Sequence, residues 1–390
     1  VLQPYRGYGS REEVFLIGRV FSQPAAGPSP PEGTVGRDAV DLGRRLLRRG
    51  IGQAELVARF CGAEQRLRSD RDGYFRVNLR PVDAPPSDRL WHTIDFELLT
   101  PVELAAQGQL FVPPESCRFV VISDIDDTIM HTGVASKAVM LWRLFMQGAE
   151  SRVAFPGMAA FLRALHAGAA GAESNPMLYV SRAPWANYEV LDAFFQMHGI
   201  PVGPLLFLRE WGLTVQRPLP QRGKGHKLDL IRNMLQLYRD LPFVLVGDSG
   251  QRDPEIYAQL VRENRGRVLA IYVRNVSRDP ARVRAIEALA LEVMGAGSSL
   301  LLAADSVAMA RHAAEHKLID FQAVAEVAAE RVTAQDDAGV APTRAVIALT
   351  SGETAHAVER GRLAEALGRD DKTEEQPPNV VVEAKDHRAP

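Results

Sequence analysis

A chain of 390 residues with 46% hydrophobic and 24% charged residues has the composition of a folded globular protein of two or three domains, each long enough to bury a core. Its 46 Lys and Arg against 48 Asp and Glu leave a net charge of −2, which excludes a global attraction to nucleic acid or to an anionic membrane. No run of 18 apolar residues occurs, which excludes a transmembrane helix, and Cys61 and Cys117 form neither a disulfide framework nor a zinc-ligand spacing. The start at Val1 shows no charged leader ahead of an apolar stretch, so a cytoplasmic protein is expected, with peripheral membrane contact left open.

Residues 1–115 read as a β-rich domain. Val14–Val20 and Ala54–Phe60 are short β-prone runs separated by Pro- and Gly-rich turns. Asp72-Gly73 is a turn dipeptide, after which Phe75, Val77 and Leu79 alternate with Arg76, Asn78 and Arg80, the period of a half-buried strand. Ile94, Phe96 and Leu98 repeat that pattern, so a small antiparallel β-sandwich is expected. Residues 22–33 read as a loose loop, and the arginines at 37, 44, 45, 48 and 49 as a charged face.

Over residues 116–295 the pattern changes. Continuous apolar runs at Phe119–Ile122, Met177–Val180, Leu205–Leu208, Phe243–Val246 and Val268–Val273 are strands buried on both faces. Helical patterns at Met158–Leu165, Tyr188–His198 and Lys227–Tyr238 separate them, which predicts a doubly wound α/β domain with a parallel sheet. Residues 296–368 read as an Ala-rich helical region, with Leu318, Phe321, Ala325, Ala328 and Val332 at helical spacing. Residues 369–390, polar and Pro-containing, read as a disordered tail.

Ligands of parallel α/β sheets bind beyond the carboxyl ends of the strands, and the polar residues of this domain stand there. The first run leads into Ser123-Asp-Ile-Asp-Asp-Thr128, the second into Ser181, and the fourth into Gly247-Asp-Ser-Gly-Gln-Arg-Asp253; Lys224 and Lys227 precede the fourth run by one helix. Converging carboxylates repel one another unless a cation neutralises them, and hard oxygen ligands suit Mg2+. With a lysine and a serine beside them, such carboxylates suit a phosphate dianion. Asp124 is then the candidate nucleophile, and Asp126 the acid and base for the departing alcohol and the hydrolytic water. Ser181 would hydrogen-bond a phosphoryl oxygen, a lysine would offset charge in the transition state, and Asp124, Asp126 through its carbonyl, and Asp248 would hold the metal. For Asp253, direct ligation and orientation of the lysine or a metal-bound water stand equal.

The ordered set Asp-x-Asp-x-Thr, strand-end Ser, Lys and Gly-Asp-x-x-x-x-Asp resembles the haloacid dehalogenase superfamily. More narrowly, Asp124–Ile129 with Thr132, Phe155-Pro-Gly157, Val180–Trp185, Gly225-His-Lys227 and Gly247–Tyr257 resemble the catalytic domain of the actin-patch-type phosphatidate phosphatases, over roughly 117–280. The resemblance implies a Rossmann-like haloacid dehalogenase sheet and a magnesium-dependent phosphatase that converts phosphatidate to diacylglycerol. It also implies the lysine role for Lys227 rather than Lys224, because His-Lys opens the helix in the family pattern. Arg182, Ala183 and Ala186 depart from the Ser-rich, Pro-Trp-Asn form of the second motif.

The 27 residues between Thr128 and Pro156 are too few for a full cap domain, and they include the apolar patch Val139–Trp142 with Leu144 and Phe145. An uncapped site accepts a phosphate on a bulky or membrane-embedded molecule. The uncapped site agrees with what the resemblance implies, a substrate that is phosphatidate or a similar lipid phosphate, and no nucleic acid partner is expected. The same chemistry on a soluble phosphomonoester, and a non-catalytic lipid- or partner-binding module, stand as alternatives.

Overall fold

The computed structural model describes residues 1–22, 48–129, 155–183, 185–207, 226–336 and 380–382. The chain divides into two compact units, one built chiefly on residues 1–117 and the other beginning at Arg118.

The first unit is a nine-stranded sheet: β1 (Leu2–Pro4), β2 (Gly7–Gly9), β3 (Val14–Ser22), β4 (Arg49–Gly50), β5 (Glu55–Phe60), β6 (Ala63–Arg68), β7 (Tyr74–Leu79), β8 (Trp91–Leu98) and β9 (Leu104–Phe111). Neighbours run in the order β1-β3-β2-β9-β8-β5-β6, with β4 and β7 also paired to β3. Alternation decides which side chains go inside: Phe75, Val77 and Leu79 of β7 and Ile94, Phe96 and Leu98 of β8 meet Val14, Leu16 and Val20 of β3 in one core. The expected antiparallel pairing holds except between β2 and β9, which run parallel. The Asp72-Gly73 turn forms because Asp70 Oδ1 accepts from the amides of Asp72 and Tyr74, at 3.0 and 2.9 Å. Gly73 there has φ +84, and a Cβ would strike the Val20 carbonyl. The residues expected to form a loose loop at 23–33, and Arg37, Arg44 and Arg45, lie outside the described residues.

The second unit has the predicted α/β fold. Its strands are β10 (Val120–Asp124), β11 (Met177–Ser181), β12 (Leu205–Phe207), β13 (Phe243–Asp248), β14 (Val268–Arg274), β15 (Ser299–Ala303) and β16 (Val380–Val382), in the order β12-β11-β10-β13-β14-β15-β16. β10 is central, parallel to β11 on one side and β13 on the other, and the parallel pairing continues through β14 to β15. The connecting helices are α1 (Met158–Ala167), α2 (Tyr188–Met197), α3 (His226–Leu237), α4 (Asp253–Glu263), α5 (Pro280–Gly295), α6 (Ser306–Glu315) and α7 (Ala323–Asp336). Val120, Val121, Ile122, Leu178, Val244 and Leu245 are wholly buried, as expected of strands covered on both faces.

Three readings of the carboxyl-terminal part differ from the structure. The sheet does not stop at residue 295, because Ser299–Ala303 is a continuous apolar run that pairs with β14. Likewise the tail is not without structure throughout: the β-branched run Val380–Val382 pairs antiparallel to β15. The proposed helical face also shifts. Phe321 and Val332 are exposed, at 71% and 54%, while Leu318 is buried and, among the described side chains of α7, so is Val327.

Candidate active site

The register of the parallel strands brings the site together. Asp124 closes β10 opposite Val180, so Ser181 follows at the same end of the sheet, and Asp248 closes β13 on the other side of β10. These are carboxyl ends, where side chains leave the sheet without a neighbouring strand residue above them. Lys227 enters from the first turn of α3 and Asp253 from the first residue of α4, a helix whose Pro254 and acidic first turn suit its amino terminus. A Cβ at Gly247 would collide with the Asp253 carboxylate, so glycine is what lets that side chain approach the strand end.

At the centre, Lys227 Nζ donates to Asp124 Oδ1 at 2.7 Å and to Asp253 Oδ1 at 2.6 Å, with all three groups buried. The Lys227 ammonium also lies 5.6 Å from the ring centroid of Tyr257. Asp248 Oδ1 accepts from the amides of Gly250 and Gln251, at 2.7 and 2.9 Å. Ser181 Oγ lies 3.4 Å from Asp126 Oδ2, which the Arg182 amide also approaches at 3.3 Å, while the Ala183 amide donates to that Oγ at 3.0 Å. Gln251 Nε2 donates to the Asp126 carbonyl at 3.2 Å, tying the first motif to the loop that carries Asp248.

Two carboxylate oxygens, Asp124 Oδ2 and Asp248 Oδ2, are buried with no hydrogen-bond partner. Ligand oxygens of Asp124, Asp248 and Asp253 lie within 4.8 Å of one another. A buried, unpartnered carboxylate oxygen is costly, and two of them in a cluster of three close carboxylates are the arrangement a divalent cation relieves. The residues present therefore fit a metal ion. Electrostatics agrees: burial pushes the Asp124 carboxyl well above its ordinary range against the pull of Lys227, with Asp253 and Asp126 adding to the rise. Burial works against the Lys227 ammonium, yet Asp124 and Asp253 hold its pKa well above the usual value. Burial, then the charge of Asp253, pushes the Asp248 carboxyl up to about 6.

Asp253, for which ligation and orientation stand equal in the sequence, is among the metal-capable carboxylates, and the group of Asp126 read as a ligand is its carbonyl, which accepts from Gln251 Nε2. Asp253 joins Asp124 and Asp248, whereas the Asp126 carboxylate turns toward Ser181 and the Arg182 amide. Spacing alone could not show this, because a neighbour two residues along projects from the loop beyond the strand rather than from the strand itself. Lys227 stands at the centre, and Lys224 lies outside the described residues, as do Thr132, Gly225 and the patch at 139–145. Trp185 and Tyr188 are buried and stacked at 6.2 Å, so they pack at the start of α2. The sequence reading passed over the role of Gln251, whose only signal was its place inside the Asp248–Asp253 loop.

Fold and site together define a doubly wound α/β domain whose sheet ends in an Asp-x-Asp motif, a bridging lysine and a carboxylate cluster able to hold a cation. Residues 119–275 match the family model described as "Phosphatidate phosphatase APP1, catalytic domain". The Phosphatidate phosphatase APP1 of Saccharomyces cerevisiae is a distant homologue, 31% identical over 164 residues that take in 42% of this chain and 27% of the yeast protein. A Schizosaccharomyces pombe protein named only as uncharacterized is 27% identical over 163 residues, 41% of this chain and 25% of that one. The chain thus spans about a quarter of the length of the curated relatives it matches. A Bacteroides ovatus GH5 xyloglucanase aligns at a TM-score of 0.17 and 6% identity over 76% of this chain and 63% of that one, which carries no argument. Among the described residues, no helix is long and apolar enough to cross a membrane.

Proposed function

We propose that the chain is a magnesium-dependent phosphatidate phosphatase that releases phosphate from phosphatidate through an aspartyl-phosphate on Asp124. The observation that carries this reading is the pair of buried, unpartnered carboxylate oxygens of Asp124 and Asp248 beside Lys227, inside the segment that matches the phosphatidate phosphatase family. Asp124, Asp248 and Asp253 supply the carboxylates from which the metal's ligands would come. When bound, Mg2+ supplies positive charge that keeps Asp124 ionised and offsets the charge of the phosphoryl oxygens.

The chain's own residues do the rest. The Asp124 carboxylate attacks phosphorus in line; an Asp124 O–P bond forms while the ester P–O bond breaks, and Asp126 passes its proton to the departing diacylglycerol oxygen. Asp126, now ionised, takes a proton from water as that water attacks phosphorus, and the bond to Asp124 breaks to release phosphate and restore both carboxyls. Lys227 stays charged throughout, held by Asp124 and Asp253, and stabilises the negative charge that gathers on phosphorus oxygens. Ser181 Oγ and the Arg182 amide, which donate to Asp126 Oδ2, would serve as donors to a phosphoryl oxygen.

The test is Mg2+-dependent phosphate release from phosphatidate in detergent micelles, with para-nitrophenyl phosphate and Asp124→Asn alongside. Turnover of phosphatidate that the variant lacks supports the reading. Turnover of the soluble ester alone would discard the lipid substrate and keep the chemistry; silence on both would discard the enzyme and favour a binding module.

A further inference from the structure

We propose that Arg282 is a positioning residue for the cation site, setting the direction in which Asp248 presents its free oxygen; this rests on the metal-dependent reading above. Asp248 Oδ1 is gripped by the amides of Gly250 and Gln251, so the aim of Oδ2 follows the placement of those two peptide groups. The carbonyls flanking them are both held by one side chain. Arg282 Nε donates to the Ser249 carbonyl at 2.8 Å and Nη2 to the Gln251 carbonyl at 2.6 Å.

The guanidinium is itself fixed. Its Nη1 pairs with Glu255 Oε1, and Nη2 also reaches Glu255 Oε2 at 3.1 Å. All three nitrogens of the planar fork are thereby used, which a lysine ammonium on a flexible stem cannot reproduce. Arg282 sits near the start of α5, where Asp279 caps the helix by accepting from the Ala281 amide at 2.9 Å. Its base is thus rigid, and a loop that must hold a carboxylate against its neighbours' charge is braced from a helix.

A plain helix-to-helix staple would look different. Arg262 of α4 pairs with Glu292 of α5 at 2.5 Å, joining the same two helices without touching the loop. Arg282 adds two bonds to loop carbonyls, on either side of the amides that grip Asp248. It lies beyond the 119–275 match, where no motif would single it out.

Cation binding is read directly with Mn2+, by the loss of its free-ion paramagnetic resonance signal, on the full chain and four variants. Arg282→Met is expected to weaken Mn2+ binding about 10-fold or more, the usual cost of losing a group that orients a metal ligand. Arg282→Lys should recover only part, and Arg262→Met should bind as the unaltered protein does. At saturating Mg2+ the Arg282→Met kcat should stay near the unaltered value while the Mg2+ requirement rises. Unchanged Mn2+ affinity in folded Arg282→Met overturns the proposal. Should that variant not fold, Glu255→Gln replaces it: weaker binding supports the role and unchanged binding overturns it. An unaltered chain that binds no Mn2+ would remove the metal reading itself, and this role with it.

Discussion

The two ends of the α/β sheet bury carboxylates in opposite ways. At the amino ends of β10 and β11, Glu173 is buried and satisfied: it accepts from Arg118 Nη1 at 3.1 Å, from Asn175 Nδ2 at 2.9 Å and from the Ala170 amide at 3.2 Å. Asn175 completes the network, taking the amides of Arg118 and Phe119 on Oδ1 and giving its other proton to the Leu165 carbonyl. At the carboxyl ends, Asp124 and Asp248 each keep one buried oxygen without a partner. Burial of charge by itself therefore does not mark the site. What marks it is valence left over after the fold has used what it can, because such a group lowers stability unless something outside the chain completes it.

Substitutions at the two ends should separate cleanly. The largest expected effect is Asp124→Asn, which removes the proposed nucleophile and should lower phosphate release on the order of 10⁴-fold or more while the chain stays folded. Residual turnover near the unaltered rate, measured on the purified variant, would take Asp124 out of the reaction. Glu173→Leu should do the reverse. It removes the acceptor of one Asn175 Nδ2 proton and of the Ala170 amide, while Arg118 Nη1 keeps the Lys317 carbonyl, and should destabilise the chain by about 2–3 kcal/mol in denaturant unfolding. Activity per folded molecule should hold. A Glu173→Leu protein of full stability but low kcat would break the division of labour between the two ends.

The contrast between the ends also explains what was legible in the sequence. Asp124, Asp126, Ser181, Lys227, Asp248 and Asp253 could be read because each stands at the end of an apolar run or the start of a helix, where a polar residue is placed by topology rather than by solvation. The half-buried strands β7 and β8 were legible for a related reason, their strict alternation. Glu173 and Asn175 carry no such signal: they sit in a short polar stretch between α1 and β11, and their burial depends on packing that no local pattern records. Arg282 looks like any charged residue on an outer helix. The strand Ser299–Ala303 was hidden by its Ala-rich surroundings, and the parallel pairing of β2 with β9 joins segments about a hundred residues apart. That the Asp253 carboxylate joins those of Asp124 and Asp248 while the Asp126 carboxylate turns to Ser181 is likewise a matter of side-chain direction, and periodicity does not reach that far.

The smallest predicted effect tests the unsatisfied end through stability alone. The Asp248 carboxyl is raised to about 6 in the folded chain, above its ordinary value. A group whose folded pKa is raised stabilises the fold below its unfolded pKa, and that contribution is lost as pH climbs from about 4 through about 6. Above that window, in the absence of a cation, ionised Asp248 works against folding. Asp248→Asn keeps an oxygen for the amides of Gly250 and Gln251 and removes the charge. It should therefore raise cation-free stability at pH 7.5 by about 1–3 kcal/mol, with the gain shrinking below pH 5. Millimolar Mg2+ should then stabilise the unaltered chain and leave the variant nearly unmoved, since binding adds stability only in proportion to affinity for the folded state. A variant no more stable than the unaltered chain in chelator at pH 7.5 would mean that Asp248 is satisfied by the fold, and the distinction between the two ends would fail there.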